Sequence, residues 1–302
     1  MSPTQPHIKG LFLAATGVII MSPDSLLVRL IKTDSWTLLF WRSLLTAIAI
    51  LLFFLIYQKR KTFALFYGVG RAGLVVSFFS GLNTVLFVLS IYRTSVANTL
   101  VLISTTPIFA SILGHIFLKE KTPLKTWLTI GATFGGMLIV FGGSLKKGHF
   151  SGDLCALLTA VFMAVNIVII RAKHTINMTP CISLGGFFVA FILFFVSKPF
   201  SISTSDAYYL GLLAFLIIPI SASMITLGTR YLPAAESSLL LLLETIFGPF
   251  WVWLVLKEIP DFNTLLGGGI ILVALMLHSI AGLRTPDPDQ VLSASISLLP
   301  EK

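Results

Sequence analysis

Apolar residues in this chain do not recur every second or every third to fourth position, as they do on half-buried strands and amphipathic helices. They run on instead, in ten long stretches broken by short polar punctuation. A helix needs about 20 predominantly apolar residues to cross the hydrocarbon core of a bilayer. The stretches reach roughly that length: 10–31, 35–57, 72–92, 96–118, 126–145, 154–170, 179–196, 207–229, 234–256 and 262–283. The pattern therefore predicts an all-α integral membrane protein of ten transmembrane helices. The connections are too short for an inserted soluble domain. The first run contains Ser22-Pro23-Asp24 and has no small-x-small cleavage pattern, so it reads as a retained helix. The segment 285–302, rich in Pro, Asp and Ser, reads as a disordered tail.

Composition sharpens this picture. The chain has 302 residues, of which 56% are hydrophobic and 11% charged, and its mean hydropathy is +0.96. Soluble domains carry about 25% charged residues. A net charge of +9 raises the question of nucleic acid, but the basic residues lie in short clusters between apolar runs, so they read as membrane flanks. With the N-terminus inside, thirteen Lys and Arg fall in inner loops and seven in outer loops. That bias predicts both termini on the cytoplasmic side. Cys155 and Cys181 lie in or beside apolar runs without metal or disulfide spacing and read as packing residues.

One polar pattern repeats. Leu118-Lys119-Glu120 and Leu256-Lys257-Glu258 each close a long apolar run, 138 positions apart. At that offset Ala97, Leu102, Ile108 and Phe109 also fall on Ala235, Leu240, Ile246 and Phe247. The runs that follow both carry clustered glycines, Gly131, Gly135 and Gly136 against Gly267, Gly268 and Gly269, which suit close helix packing. The matched runs are the fourth and ninth, so the repeat divides ten helices into five and five. An odd number of crossings per half makes the halves enter the membrane in opposite directions, the inverted-repeat plan of many secondary transporters. The expected boundaries are 1–148 for the first half, 149–284 for the second and 285–302 for the tail.

Several stretches resemble the drug/metabolite transporter superfamily, in its ten-helix EamA-type branch: "LLFWRSLLTAIAILLFFL" (38–55), "TPIFASILGHIFLKEKTPLKTWLTIGATFGGMLIV" (106–140), "GDLCALLTAVFMAVNIVIIR" (152–171) and "LLETIFGPFWVWLVLKE" (242–258). The resemblance runs over the whole chain except the tail. It implies a carrier in the cytoplasmic membrane with a central cavity between two EamA-like halves, and it supports a glutamate at the place of Glu244 followed by Pro249. It leaves the substrate open.

Charges inside apolar runs mark the candidate site, because each costs about 2.5–3.5 kcal/mol on insertion scales unless it faces protein or water. Asp24 and Arg42 are expected at similar depth in the first two helices, either as a substrate or gating pair or as a tether between helices. Ser22-Pro23 is expected to break the first helix beside Asp24. Glu244, near mid-bilayer with no basic neighbour in sequence, is a candidate proton carrier or substrate-amine contact, or a bridge between helices. Asn83, Thr106 and Asn166 are central polar groups that either line a cavity or bond across helices. Phe87, Tyr92, Trp251 and Trp253 are aromatics that either line a mostly apolar cavity or face lipid and the membrane interfaces. Pro107, Pro219 and Pro249 are candidate kinks.

No HExxH, GxSxG or Walker pattern and no Cys/His metal spacing occurs. The expectation is a secondary transporter, an exporter or exchanger of a small metabolite by alternating access, and not an enzyme. No cofactor or metal is expected. The expected partners are a small-molecule metabolite and the lipid bilayer, not nucleic acid, and a homodimer is an open assembly. The other readings are a multi-pass enzyme on lipid-like substrates and a non-transporting scaffold.

Overall fold

The computed structural model describes residues 5–59, 61–119, 124–173, 176, 178–229 and 234–283. The described residues are helical, joined by short connections. The first apolar run is two helices, α1 (Gln5–Met21) and α2 (Asp24–Leu30). The second and third are α3 (Ser35–Gln58) and α5 (Gly70–Arg93), with a short α4 (Lys61–Gly68) between them that the apolar pattern did not predict. The fourth run is again two helices, α6 (Val96–Ile103) and α7 (Thr106–Phe117). Next come α8 (Leu124–Lys147), α9 (Phe150–Ala172) and α10 (Pro180–Phe194). The eighth run is composite: α11 (Thr204–Gly211), a π-helical segment (Leu212–Ile217) and α12 (Ile218–Thr229). The last two are α13 (Ala234–Leu256) and α14 (Phe262–Leu283).

Seven of these stretches are long and apolar enough to cross a membrane, among them Ile8–Leu30 and Thr204–Ile225 taken whole. Three shorter apolar helices, Pro180–Phe194, Leu242–Leu256 and Phe262–His278, stand with them. Large apolar side chains face outward along many helices, including Phe12, Leu138, Phe191 and Leu277, each more than 60% exposed. A soluble protein does not carry such a contiguous apolar surface. The molecule is an integral membrane protein.

The breaks have local causes. Pro23 has no N–H to donate, and the helix restarts after it when the Leu27 amide bonds the Pro23 carbonyl at 2.9 Å. In the fourth run Pro107 cannot donate to the Ile103 carbonyl, and the Thr106 hydroxyl takes that carbonyl instead at 2.7 Å. The Ser104 and Thr105 hydroxyls likewise donate to the Val101 and Leu102 carbonyls, at 2.7 and 2.6 Å. Pro249 lies inside α13 without interrupting it. Pro219 follows the π segment, whose wider turn loosens the ladder before it.

Helix pairing follows a regular scheme. The main partners are α5 with α9, α8 with α14, α1 with α12 and α3 with α10, and α6 also packs on α13. Numbered by apolar run, these pairs are three with six, five with ten, one with eight, two with seven and four with nine. Exchanging each run for the one five places on returns the same set. Of the clustered glycines, only some serve close packing. A Cβ on Gly136 would stand 2.7 Å from the Gly267 carbonyl oxygen, and one on Gly267 would stand 2.5 Å from that of Gly136, so the α8 and α14 backbones touch there. Gly131, Gly135 and Gly269 have no such neighbour within 4 Å, which corrects their sequence-based reading. A second contact of this kind joins α5 to α10, where a Cβ on Gly81 would stand 2.9 Å from the Gly185 carbonyl oxygen.

The two Leu-Lys-Glu positions share a backbone feature. Lys119 and Lys257 both adopt positive φ, 55° and 58°, a region that side-chain-bearing residues enter rarely. Each follows the end of its helix, α7 or α13, and turns the chain out of it. Glu120, the tail 285–302 and the connection after Thr229 lie outside the described residues.

Candidate functional site

The site begins at the break between α1 and α2. Restarting the helix at Asp24 places that carboxylate in the first turn, where freed N–H groups favour negative charge. Arg42, two turns into α3, meets it with both ends of its guanidinium. Nη1 donates to Asp24 Oδ1 at 2.6 Å and Nη2 to Oδ2 at 2.8 Å. Both residues are buried, at 3% and 7% exposure. The Arg42 guanidinium also lies over the Phe87 ring of α5, 5.5 Å from its centroid. The pair expected from sequence is therefore formed, and Phe87, one of the candidate cavity aromatics, completes its surroundings.

Glu244 approaches from α13 and lies within electrostatic reach of both Asp24 and Arg42. It is half-buried. It forms no hydrogen bond or ion pair among the described residues. With all three groups ionised the cluster carries two negative charges and one positive. Its single cation already donates two hydrogen bonds to Asp24.

The helix break contributes a second contact to α13. The Trp251 indole N–H donates to the Ser22 hydroxyl at 2.9 Å, and that hydroxyl donates to the Ile19 carbonyl at 2.8 Å. Gly248 lets α13 close on α6 and α2, since a Cβ there would meet the Leu100 side chain, with the Ser25 hydroxyl oxygen 3.3 Å away. The buried Ser25 and Ser43 hydroxyl oxygens, beside Asp24 and Arg42 in sequence, have no hydrogen-bond partner among the described residues.

The remaining predicted residues are not brought to this cluster. Thr106 repairs the break before Pro107. Asn166 of α9 donates to the Ser80 hydroxyl of α5 at 3.2 Å, an interhelical bond, and its side-chain oxygen is buried without a partner. Asn83 on α5 also buries a side-chain oxygen without a partner.

Sequence reading missed a second polar cluster. Asp153, fully buried in the first turn of α9, accepts from the Thr94 hydroxyl at 2.6 Å and from the Asn98 amide at 3.2 Å. Asn98 also donates to Ser144 at 2.8 Å and accepts from Thr264. The network ties α6, α8, α9 and α14 together beside the end of α5. Its one signal in the sequence was Asp153 immediately before the sixth run, which also fits a plain helix start.

An all-helical membrane body with a broken helix and a buried charged cluster defines a transport-type protein, and comparison with known proteins agrees. The model of the EamA-like transporter family matches residues 8–142 and 150–280. The chain belongs to the EamA-like transporter family, within the drug/metabolite transporter superfamily its sequence resembles. It is similar to the uncharacterized transporter YoaV of Bacillus subtilis (strain 168), 22% identical over 76% of this chain and 83% of the relative. It is also similar to the uncharacterized transporter YdfC of the same organism, 29% identical over 55% of this chain and 57% of the relative. An uncharacterized transporter of Archaeoglobus fulgidus is 24% identical over 52% of this chain and 56% of that one. A solved structure titled only as a crystal structure of protein shares the fold, with a TM-score of 0.62 at 12% identity, covering 91% of this chain and 99% of that one.

Proposed function

We propose that this transporter is a secondary carrier, an exporter or exchanger, that moves a small metabolite across the cytoplasmic membrane by alternating access, without enzymatic chemistry. Ten transmembrane helices form two inverted five-helix repeats, 1–148 and 149–284, with both termini cytoplasmic. Support for the repeat comes from the double match of the family model, the pairing scheme that maps onto itself, and the shared positive φ of Lys119 and Lys257.

The observation that carries the reading is the meeting of Asp24, Arg42 and Glu244. A charged pair from the first half and an unpaired carboxyl from the second converge beside a broken helix. Converting such a convergence between open and closed arrangements of the halves is the simplest way to expose one site to two sides. Asp24 holds Arg42; Glu244 takes the proton or the cationic group of the substrate; Phe87 and Trp251 give the site apolar walls. No cofactor takes part, and a homodimer is compatible with this reading because each chain carries its own site.

The test is paired uptake and counterflow in reconstituted vesicles across a pH series, starting from a metabolite screen in cells that lack or overproduce the protein. Glu244→Gln is expected to abolish pH-dependent accumulation. If Glu244 carries the proton, counterflow of bound substrate survives; if it binds a substrate amine, counterflow falls as well. Full accumulation with unchanged pH dependence in Glu244→Gln would remove it from the mechanism.

A further inference from the structure

Glu258 is the last residue of the second Leu-Lys-Glu triplet. Its role is not apparent from the triplet, but the tertiary contacts give it one. Lys257 leaves α13 with φ 58°, and the turn directs Glu258 back over the bundle. One carboxylate oxygen, Oε2, lies 3.3 Å from Nε of Arg29 on α2. The other, Oε1, accepts from the Val96 backbone N–H at 3.2 Å, at the open N-terminus of α6. Arg29 in turn donates to the Ile91 carbonyl and, at 3.3 Å, to the Thr94 carbonyl at the end of α5. One carboxylate therefore fastens together α2, α6 and, through Arg29, the end of α5.

We propose that Glu258 and Arg29 form a latch that holds the transporter closed at this end of the bundle and must release for the site to open there. This rests on the alternating-access reading above. Three further observations support a latch over a simple staple. Arg29 lies five residues beyond Asp24 in the same run, about 7.5 Å along the axis at 1.5 Å per residue, so the contact sits between the charged cluster and this end of the bundle. The seam beneath it, lined by Ser95, Val96, Ala97, Pro249, Val252 and Glu258, leaves no room for a water molecule. Arg29 and Glu258 keep 28% and 27% of their side-chain surface exposed, so parting them leaves neither charge stranded in an apolar interior. The Asp24–Arg42 pair below, by contrast, is buried and suited to staying formed.

The experiment reads access to the seam and needs no substrate. In a background with Cys155→Ala and Cys181→Ala, Ala97→Cys is placed in the seam, and its labelling by a water-soluble maleimide is timed in permeabilised membranes, so that sidedness does not enter. Glu258→Gln keeps an oxygen for the Val96 amide but loses the charge opposite Arg29. It is expected to raise the labelling rate about tenfold, the shift that follows from loss of one charge-assisted hydrogen bond. Arg29→Gln should do the same, and the double variant should add little more, because both act on one contact. Thermal melting is measured in parallel. A lowered melting temperature with labelling at the parent rate, or additive effects of the two substitutions, overturns the latch and leaves a staple. Should one single variant fail to fold, labelling in the other decides. Full accumulation with unchanged pH dependence in Glu244→Gln, together with increased labelling in Glu258→Gln, would reject the transport reading of Glu244 and leave the latch standing.

Discussion

Arg42 carries its charge far from bulk water because four features meet at its guanidinium: two hydrogen bonds to Asp24, the Phe87 face and the enclosing helices. Removing one partner of such a pair strands the other, and the usual loss is about 3–5 kcal/mol. Asp24→Asn and Arg42→Met are each expected to lower stability by about that amount. The doubly exchanged Asp24→Arg/Arg42→Asp variant should recover much of the loss. Fluorescence-detected size exclusion of heated detergent extracts checks this; no recovery in the exchanged variant would mean that the two residues act apart. Glu244 differs from both: it makes no hydrogen bond or ion pair among the described residues.

Helices in lipid gain no hydrophobic drive from one another, so their contacts depend on close fit. The pairing of α8 with α14 depends on Gly136 and Gly267, whose backbones leave no space for a Cβ. Gly136→Leu and Gly267→Leu should each push these helices apart and lower the melting temperature by several degrees, as expected for an overpacking loss of about 1–3 kcal/mol. Gly131→Leu and Gly135→Leu, facing open space, should leave it unchanged. Equal effects at all four positions would contradict the contact. The broken helices obey the same local logic: each break sits where a proline cannot donate, and nearby hydroxyls take the carbonyls left free.

The proposed inverted arrangement belongs to the molecule as a whole. Under it, five crossings per half put the two Leu-Lys-Glu triplets on opposite faces. Tags on both termini should report cytoplasm. A cysteine at Lys257 should label from outside in intact cells, whereas one at Lys121, which lies outside the described residues, should label only after permeabilisation. Labelling of both from one side would refute the inversion. The pairings of α5 with α9 and of α1 with α12 each join a helix before residue 148 to one after it.

Membrane residence and helical class were legible in the sequence, because a bilayer imposes length and apolarity on every spanning helix and both are local properties. The charged candidates Asp24, Arg42 and Glu244 were legible for the same reason: a charge in an apolar run is conspicuous. The break at Ser22-Pro23 followed from the missing proline N–H. Apart from the Asp24–Arg42 pair, partnership was not legible. Glu258 reads as an ordinary helix-end charge until Arg29 and Val96, 229 and 162 residues away in the chain, meet it. Asp153 reads as a helix start until Thr94 and Asn98 close around it, and Gly131 cannot be told from Gly136 without knowing which face meets α14. These contacts depend on which helix lies beside which. Lipid-facing and protein-facing positions draw on the same apolar alphabet, so no periodic signal distinguishes them, and only the tertiary structure decides.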